Sequence, residues 1–178
     1  KVHSLPVKVE NDANPAAIAE SKFGAGVEHK DFLFVIWGTG VGGGIIIDRK
    51  IFRGSQGGAG EIGHMTIDYN GPQCNCGSRG CIESYIGQRY LSRHTREILE
   101  RQGTAGPPSK ILELLQGNMD EIDPYIITMA AEQGDNVARK ILEEAGELLG
   151  YALASALNVL DLRTVIIGGG ISAAPDYV

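Results

Sequence analysis

Gly60-Glu61-Ile62-Gly63-His64-Met65-Thr66-Ile67-Asp68-Tyr69-Asn70-Gly71-Pro72-Gln73-Cys74-Asn75-Cys76-Gly77-Ser78-Arg79-Gly80-Cys81-Ile82-Glu83 is the stretch around which this sequence is organised. It holds all 3 cysteines of the chain, so Cys74, Cys76 and Cys81 can meet at one point together with His64. Glycine and proline between them let the backbone wrap tightly. Three thiolates and one imidazole form a four-ligand set suited to tetrahedral zinc. With no position left for water, the metal is expected to hold structure rather than do chemistry. A disulfide plus one spare thiol is the competing arrangement. The odd cysteine count and the lack of a secretory stretch weigh against it. Glu61 and Glu83 flank the ligands, so a cation that pins this segment also places two carboxylates.

Upstream, Leu5–Glu10 reads as a short strand, and Asn14-Pro15 opens a helix with Asn14 as N-cap, stopped at Gly24 or Gly26. Phe32–Trp37 is a continuous apolar run, the mark of a strand buried on both faces. A turn is expected over 38–44, then a strand at Ile45–Asp48 with a hairpin partner at Ile51–Arg53. Residues 54–82 form a loop long enough to need a stabiliser, which the proposed zinc supplies. Downstream, the pattern predicts a helix from Glu83 to Arg101 and a break around Gly103, Gly106, Pro107 and Pro108. Short helices are expected at 109–116 and 123–133. A long amphipathic helix capped by Asp135 runs to about Asn158. A buried strand at Thr164–Ile167 ends in three glycines. This order gives an α/β class.

The 178 residues are enough for one sizeable core. A net charge of −6 argues against a nucleic-acid surface in this segment, and no apolar run reaches the length of a membrane helix. Clustered, reduced cysteines set the expectation of a cytoplasmic protein. His3, His29 and His94 have no partner by spacing and read as surface residues. Tyr85, Tyr90 and Leu91 read as core or interface.

Several motifs carry possible chemistry. Gly38-Thr39-Gly40-Val41-Gly42-Gly43-Gly44 between two strands makes a hairpin of bare backbone. Its N–H groups and the Thr39 hydroxyl could cradle a nucleotide phosphate, or it could be a plain glycine-rich turn. It is neither a P-loop nor a dinucleotide fingerprint, since no helix follows at once. Gly168-Gly169-Gly170 follows a strand at the place where α/β sheets bind ligands. Read alone, such a run is more often an ordinary strand-to-helix turn. Asn11 and Asp12 precede a helix N-terminus, where Asp12 could act as a general base and Asn11 could bond a sugar hydroxyl. Capping is the commoner role for such a pair. Glu61, His64 and Glu83 could hold sugar hydroxyls, or be solvated loop residues. His64 could serve both metal and ligand through its two ring nitrogens.

Together, Glu10-Asn11-Asp12-Ala13-Asn14, the 38–44 glycines, Gly60–His64, Cys74–Glu83 and Val165–Ser172 resemble the ROK family of bacterial sugar kinases, related repressors and the animal N-acetylmannosamine kinase module. The resemblance extends over essentially the whole chain. It implies an actin/hexokinase-like (ribonuclease H-like) ATPase lobe with an inserted zinc loop at 54–82. Residues 1–29 would be the end of a first lobe, and 30–178 a second lobe incomplete at its C-terminus. It further implies an ATP-dependent hexose kinase, glucokinase-like, with Mg2+ accompanying ATP and a homodimer as the assembly. Asp12 would be the catalytic base. Asn11, Glu61, His64 and Glu83 would bind sugar. Gly38, Thr39, Gly40 and Gly42 would face the phosphates, with Gly168, Gly169 and Gly170 near the adenosine. His64, Cys74, Cys76 and Cys81 would hold zinc.

One departure stands out. Kinases of this kind open with an Asp-x-Gly-Gly-Thr-like phosphate loop, which these residues lack, so the 178-residue chain is expected to be a partial domain inactive by itself. The rival expectation is a sugar-responsive repressor whose DNA-binding domain lies upstream. A blander third is a zinc-stapled structural or dimerisation module.

Overall fold

Phe32–Trp37 forms β1, the second strand from one edge of a four-stranded mixed sheet in the order β3-β2-β1-β4. The structure, a computed structural model, describes residues 5–7, 9–103 and 108–173. β2 (Val41–Ile47) pairs antiparallel with β1, β3 (Lys50–Phe52) antiparallel with β2, and β4 (Val165–Gly168) parallel with β1. The continuous apolar run of β1 has a simple cause, because successive side chains point to opposite faces and both faces are covered. Phe32 and Phe34 join Ala17 and Ile46 under α1 (Ala13–Phe23). Leu33, Val35 and Trp37 join the larger core built with the helices on the other face.

The 38–44 glycines do not form one long turn. The turn is Gly38–Gly40, with Trp37 paired to Val41, and Gly42–Gly44 belong to β2. They are glycine because neighbours come close. A Cβ on Gly44 would sit 2.6 Å from the Cβ of Ala17 and 3.0 Å from the carbonyl of Ala13. Helix α1 can therefore lie almost directly on the β2 backbone. The β2–β3 connection turns at Asp48 and Arg49, whose φ values of 50° and 61° match the primed turn that two-residue hairpins favour.

The described residues of Leu5–Glu10 form no strand. None of them pairs with the sheet, and Val7 and Val9 are exposed. Alternation in sequence makes no strand without a partner to accept its hydrogen bonds. Helix α1 also begins one residue before the expected cap. Asn14 lies inside it and is buried, and Asn11 Oδ1 accepts the Ala13 N–H instead.

The expected 83–101 helix is two, α2 (Glu83–Ile86) and α3 (Gln88–Gln102), separated at Gly87 with extended backbone. The break frees the Gln88 N–H to donate to the Gly38 carbonyl at 3.2 Å, tying the helix pair to the hairpin turn. The buried Trp37 indole donates to the Ile86 carbonyl at 2.9 Å and makes the same tie from the strand side. α4 (Lys110–Leu114) and α5 (Pro124–Glu132) fall where expected. α6 (Asn136–Leu160) is capped by Asp135, which accepts from the Val137 and Ala138 N–H groups. β4 is only half-buried, with Ile167 exposed, because it is an edge strand among the described residues. His29 and His94 are at the surface as expected, and His3 lies outside the described residues, as do Gly106 and Pro107. Leu91 is core, while Tyr85 and Tyr90 are half-buried.

Candidate functional site

The turn after β1, the segment before α1, the start of the 54–82 loop and the start of α2 meet around one open cleft of about 410 Å³. Asn11, Asp12, Glu61, His64 and Glu83 line it together with Gly38, Thr39, Gly40, Gly42, Gly169 and Gly170. Residues separated by more than 150 positions are thus brought to one place. Gly168 is not among the lining residues; it sits in β4 beside Ile36, where a Cβ would meet the Phe34 ring. Ile36 lines the cleft as well and was not expected to, beside Val41 and Gly43 of the 38–44 run. Their position on either side of the Gly38–Gly40 turn was the available signal.

Hydrogen bonds fix the acidic wall. Asn11 Nδ2 donates to Glu61 Oε1 at 3.2 Å. Glu83 Oε2 accepts the Val41 N–H at 3.0 Å and lies over Gly40, where any Cβ would collide with it. The Gly38 N–H donates to Gly40 O at 3.0 Å, so the amides of Gly38 and Val41 are both used within the protein. The amides of Thr39 and Gly40, with the Thr39 hydroxyl, are the donors left for an anion.

Behind this wall stands the cysteine cluster. The ligand atoms of His64, Cys74, Cys76 and Cys81 all lie within 4.8 Å of one another. Cys76 Sγ and Cys81 Sγ are 3.7 Å apart, and His64 Nδ1 is 3.7 Å from Cys74 Sγ. With Zn–S bonds of about 2.3 Å, a regular tetrahedron has edges of about 3.8 Å, so these spacings fit a zinc cage. All three cysteines are free, which removes the disulfide alternative. Burial pushes the Cys81 thiol up to about 12, with the neighbouring sulfurs adding to the effect. An N–H from Ser78 draws Cys76 the other way.

The loop has further braces. Short bridges pair Thr66 with Cys81 and Gln73 with Arg79. Arg79 donates to the Gly71 carbonyl, and the Tyr85 hydroxyl donates to Asp68 at 3.1 Å. Burial, then Asp68, holds the Tyr85 phenol above its ordinary range, so it stays a donor. His64 touches both systems, facing Cys74 through Nδ1 and lining the cleft.

The ROK family profile matches residues 1–178. The chain belongs to the ROK family. Within that family it is 41% identical over 174 residues to the glucokinase of Streptomyces coelicolor, covering 98% of this chain and 54% of that relative. It is 36% identical over 169 residues to the xylose repressor of Caldicellulosiruptor bescii, covering 95% and 41% respectively. A ROK family glucokinase from Streptomyces griseus, solved in complex with glucose and AMPPNP, matches with a TM-score of 0.86 at 40% identity, over 98% of this chain and 55% of that one. The chain therefore spans about half the length of these ROK relatives or less. The α/β architecture is that of ROK sugar kinases, and both kinases and repressors stand among its relatives.

Proposed function

We propose that the protein containing this chain is an ATP-dependent hexose kinase in which Asp12 is the general base. The observation that carries the reading is the cleft itself, where Asp12 stands among polar side chains able to hold a sugar, opposite a turn able to hold phosphate. Asn11, Glu61, His64 and Glu83 would take the sugar hydroxyls, each offering the donors or acceptors that a carbohydrate matches. Asp12 would accept the proton of the attacking hydroxyl as its oxygen bonds to the γ-phosphorus, with ADP leaving in line. Thr39 and Gly40 would face the phosphates, and Gly169 and Gly170 the adenosine. Among the described residues the cleft lining carries three carboxylates and no lysine or arginine, and the phosphate charge would be met by the Mg2+ that accompanies ATP.

His64, Cys74, Cys76 and Cys81 would hold a structural zinc, which supplies a cross-link. What the chain gains is a fixed position for Glu61 and Glu83 on either side of the cage. The expected cytoplasmic, homodimeric setting belongs to this proposal too. Among the described residues, no helix is long and apolar enough to cross a membrane.

The xylose-repressor relative favours one second reading, a sugar-sensing repressor that uses the same cleft for the sugar alone. Glucose-dependent ADP formation by the full-length protein separates the two. The kinase reading expects turnover that Asp12→Asn lowers by at least about a thousandfold while sugar affinity stays near normal. Sugar binding without turnover in the unaltered protein would support the repressor reading instead.

A further inference from the structure

Glu10 and Arg53 lie outside the cleft, one residue before Asn11 and at the head of the zinc loop. Glu10 Oε2 accepts two hydrogen bonds from Arg53, at 2.9 Å from Nε and 2.7 Å from a terminal guanidinium nitrogen. Its other oxygen, Oε1, accepts from Nδ2 of the buried Asn14 at 3.0 Å. Arg53 also closes the head of the loop through its own backbone, because its carbonyl accepts the Ala59 N–H at 3.2 Å. One carboxylate therefore joins three pieces: the segment carrying Asp12, the first turn of α1, and the loop that leads to Glu61.

A second link joins the same two segments from inside the cleft, the Asn11–Glu61 hydrogen bond. The two links differ in what a ligand would do to them. Under the kinase reading, Asn11 and Glu61 both bond sugar hydroxyls, so the inner link is exchanged for substrate. Glu10 and Arg53 do not line the cleft, so a ligand held there would not compete for their pairing. The Glu10 side chain is only 22% exposed, and its pairing with Arg53, then with Asn14, holds its carboxyl below the usual carboxylate range. A charge-assisted, doubly bonded contact is the stronger and better-directed of the two links.

We infer that Arg53 is a positioning residue: through Glu10 it sets the spacing between the Asp12 segment and the Glu61 loop while substrate replaces the inner hydrogen bond. The inference rests on the proposed use of the cleft for sugar. It assigns Arg53 no contact with substrate. Its effect falls on the geometry of the sugar pocket, where a displacement of about 1 Å is enough to cost about a hundredfold in rate.

The test compares Arg53→Ala and Arg53→Lys with the unaltered full-length protein, using glucose and MgATP, with melting temperature and zinc content measured on the same samples. Arg53→Ala is expected to lower kcat and raise KM for glucose, each by about tenfold or more, with KM for ATP unchanged. Arg53→Lys, which keeps the charge and loses the second hydrogen bond, is expected to fall between. If Arg53→Ala does not fold, the lysine variant decides: normal melting with reduced kcat supports the inference. The inference is overturned if the variants that fold match the unaltered enzyme in kcat and in KM for glucose, or if every loss tracks a smaller folded fraction. No turnover in the unaltered protein would remove the kinase reading and leave the clamp to be read by glucose calorimetry. There, a tenfold or greater weakening in Arg53→Ala supports it and equal affinity overturns it.

Discussion

Gly40 and Glu83 show how closely one residue can depend on another far away in sequence. The Glu83 carboxylate can reach the Val41 N–H only because Gly40 has no side chain in its path. Gly40→Ala is expected to push that carboxylate aside, weaken glucose binding by about tenfold and lower the denaturant midpoint, since removing one charged hydrogen bond costs about 1.5–3 kcal/mol. Calorimetry and urea unfolding on the same variant would check both halves. Asp135 carries a different kind of weight. Only 6% exposed, it accepts from Val137 N, Ala138 N, Lys110 N and Ser109 Oγ. Burial opposes its charge, but those hydrogen bonds outweigh the penalty and hold its carboxyl below the usual range. Its contribution is therefore complete above the unfolded carboxylate range near about pH 4 and is lost as pH falls through the lowered folded value. Asp135→Ala is expected to cost about 2–3 kcal/mol at neutral pH. The cost should shrink on acidification, as urea titrations at several pH values would show.

At the scale of elements, the contact between α1 and β2 depends on bare backbone. Gly44→Val would drive a side chain into Ala17 and Ala13 and is expected to destabilise the fold by about 1–3 kcal/mol, readable as a lower urea midpoint. The 54–82 loop is expected to depend instead on the cluster of His64, Cys74, Cys76 and Cys81. Cys76→Ser is expected to abolish stoichiometric zinc binding and to expose the 54–82 segment to protease, while the core formed by β1 and α6 keeps its protection. Much of this layout was legible in sequence. The apolar run of β1, the Asp135 cap and the spacing of Cys74, Cys76 and Cys81 all report local rules that tertiary structure did not override. What was not legible depended on neighbours. Gly42–Gly44 look like a turn until α1 is seen lying against them. Gly87 looks like an ordinary helical residue until the Gly38 carbonyl is seen waiting for the Gln88 amide. Leu5–Glu10 alternates as a strand does, and among the described residues no partner strand takes it up.

For the whole molecule, the cleft residues named from sequence do converge, all but Gly168, because the sheet hairpin and the ligand-bearing loop share one end of the fold. The pairing of Arg53 with Glu10 was not legible, because an Arg and a Glu separated by 43 positions leave no spacing signal. The central claim is that a metal-pinned loop presents carboxylates to a sugar across from a phosphate-binding turn. Glucose calorimetry on the full-length protein, zinc-loaded and then stripped by chelator, tests it most directly. The account predicts that affinity falls by about tenfold or more on stripping and returns when zinc is restored. Equal glucose affinity with and without the metal would contradict it.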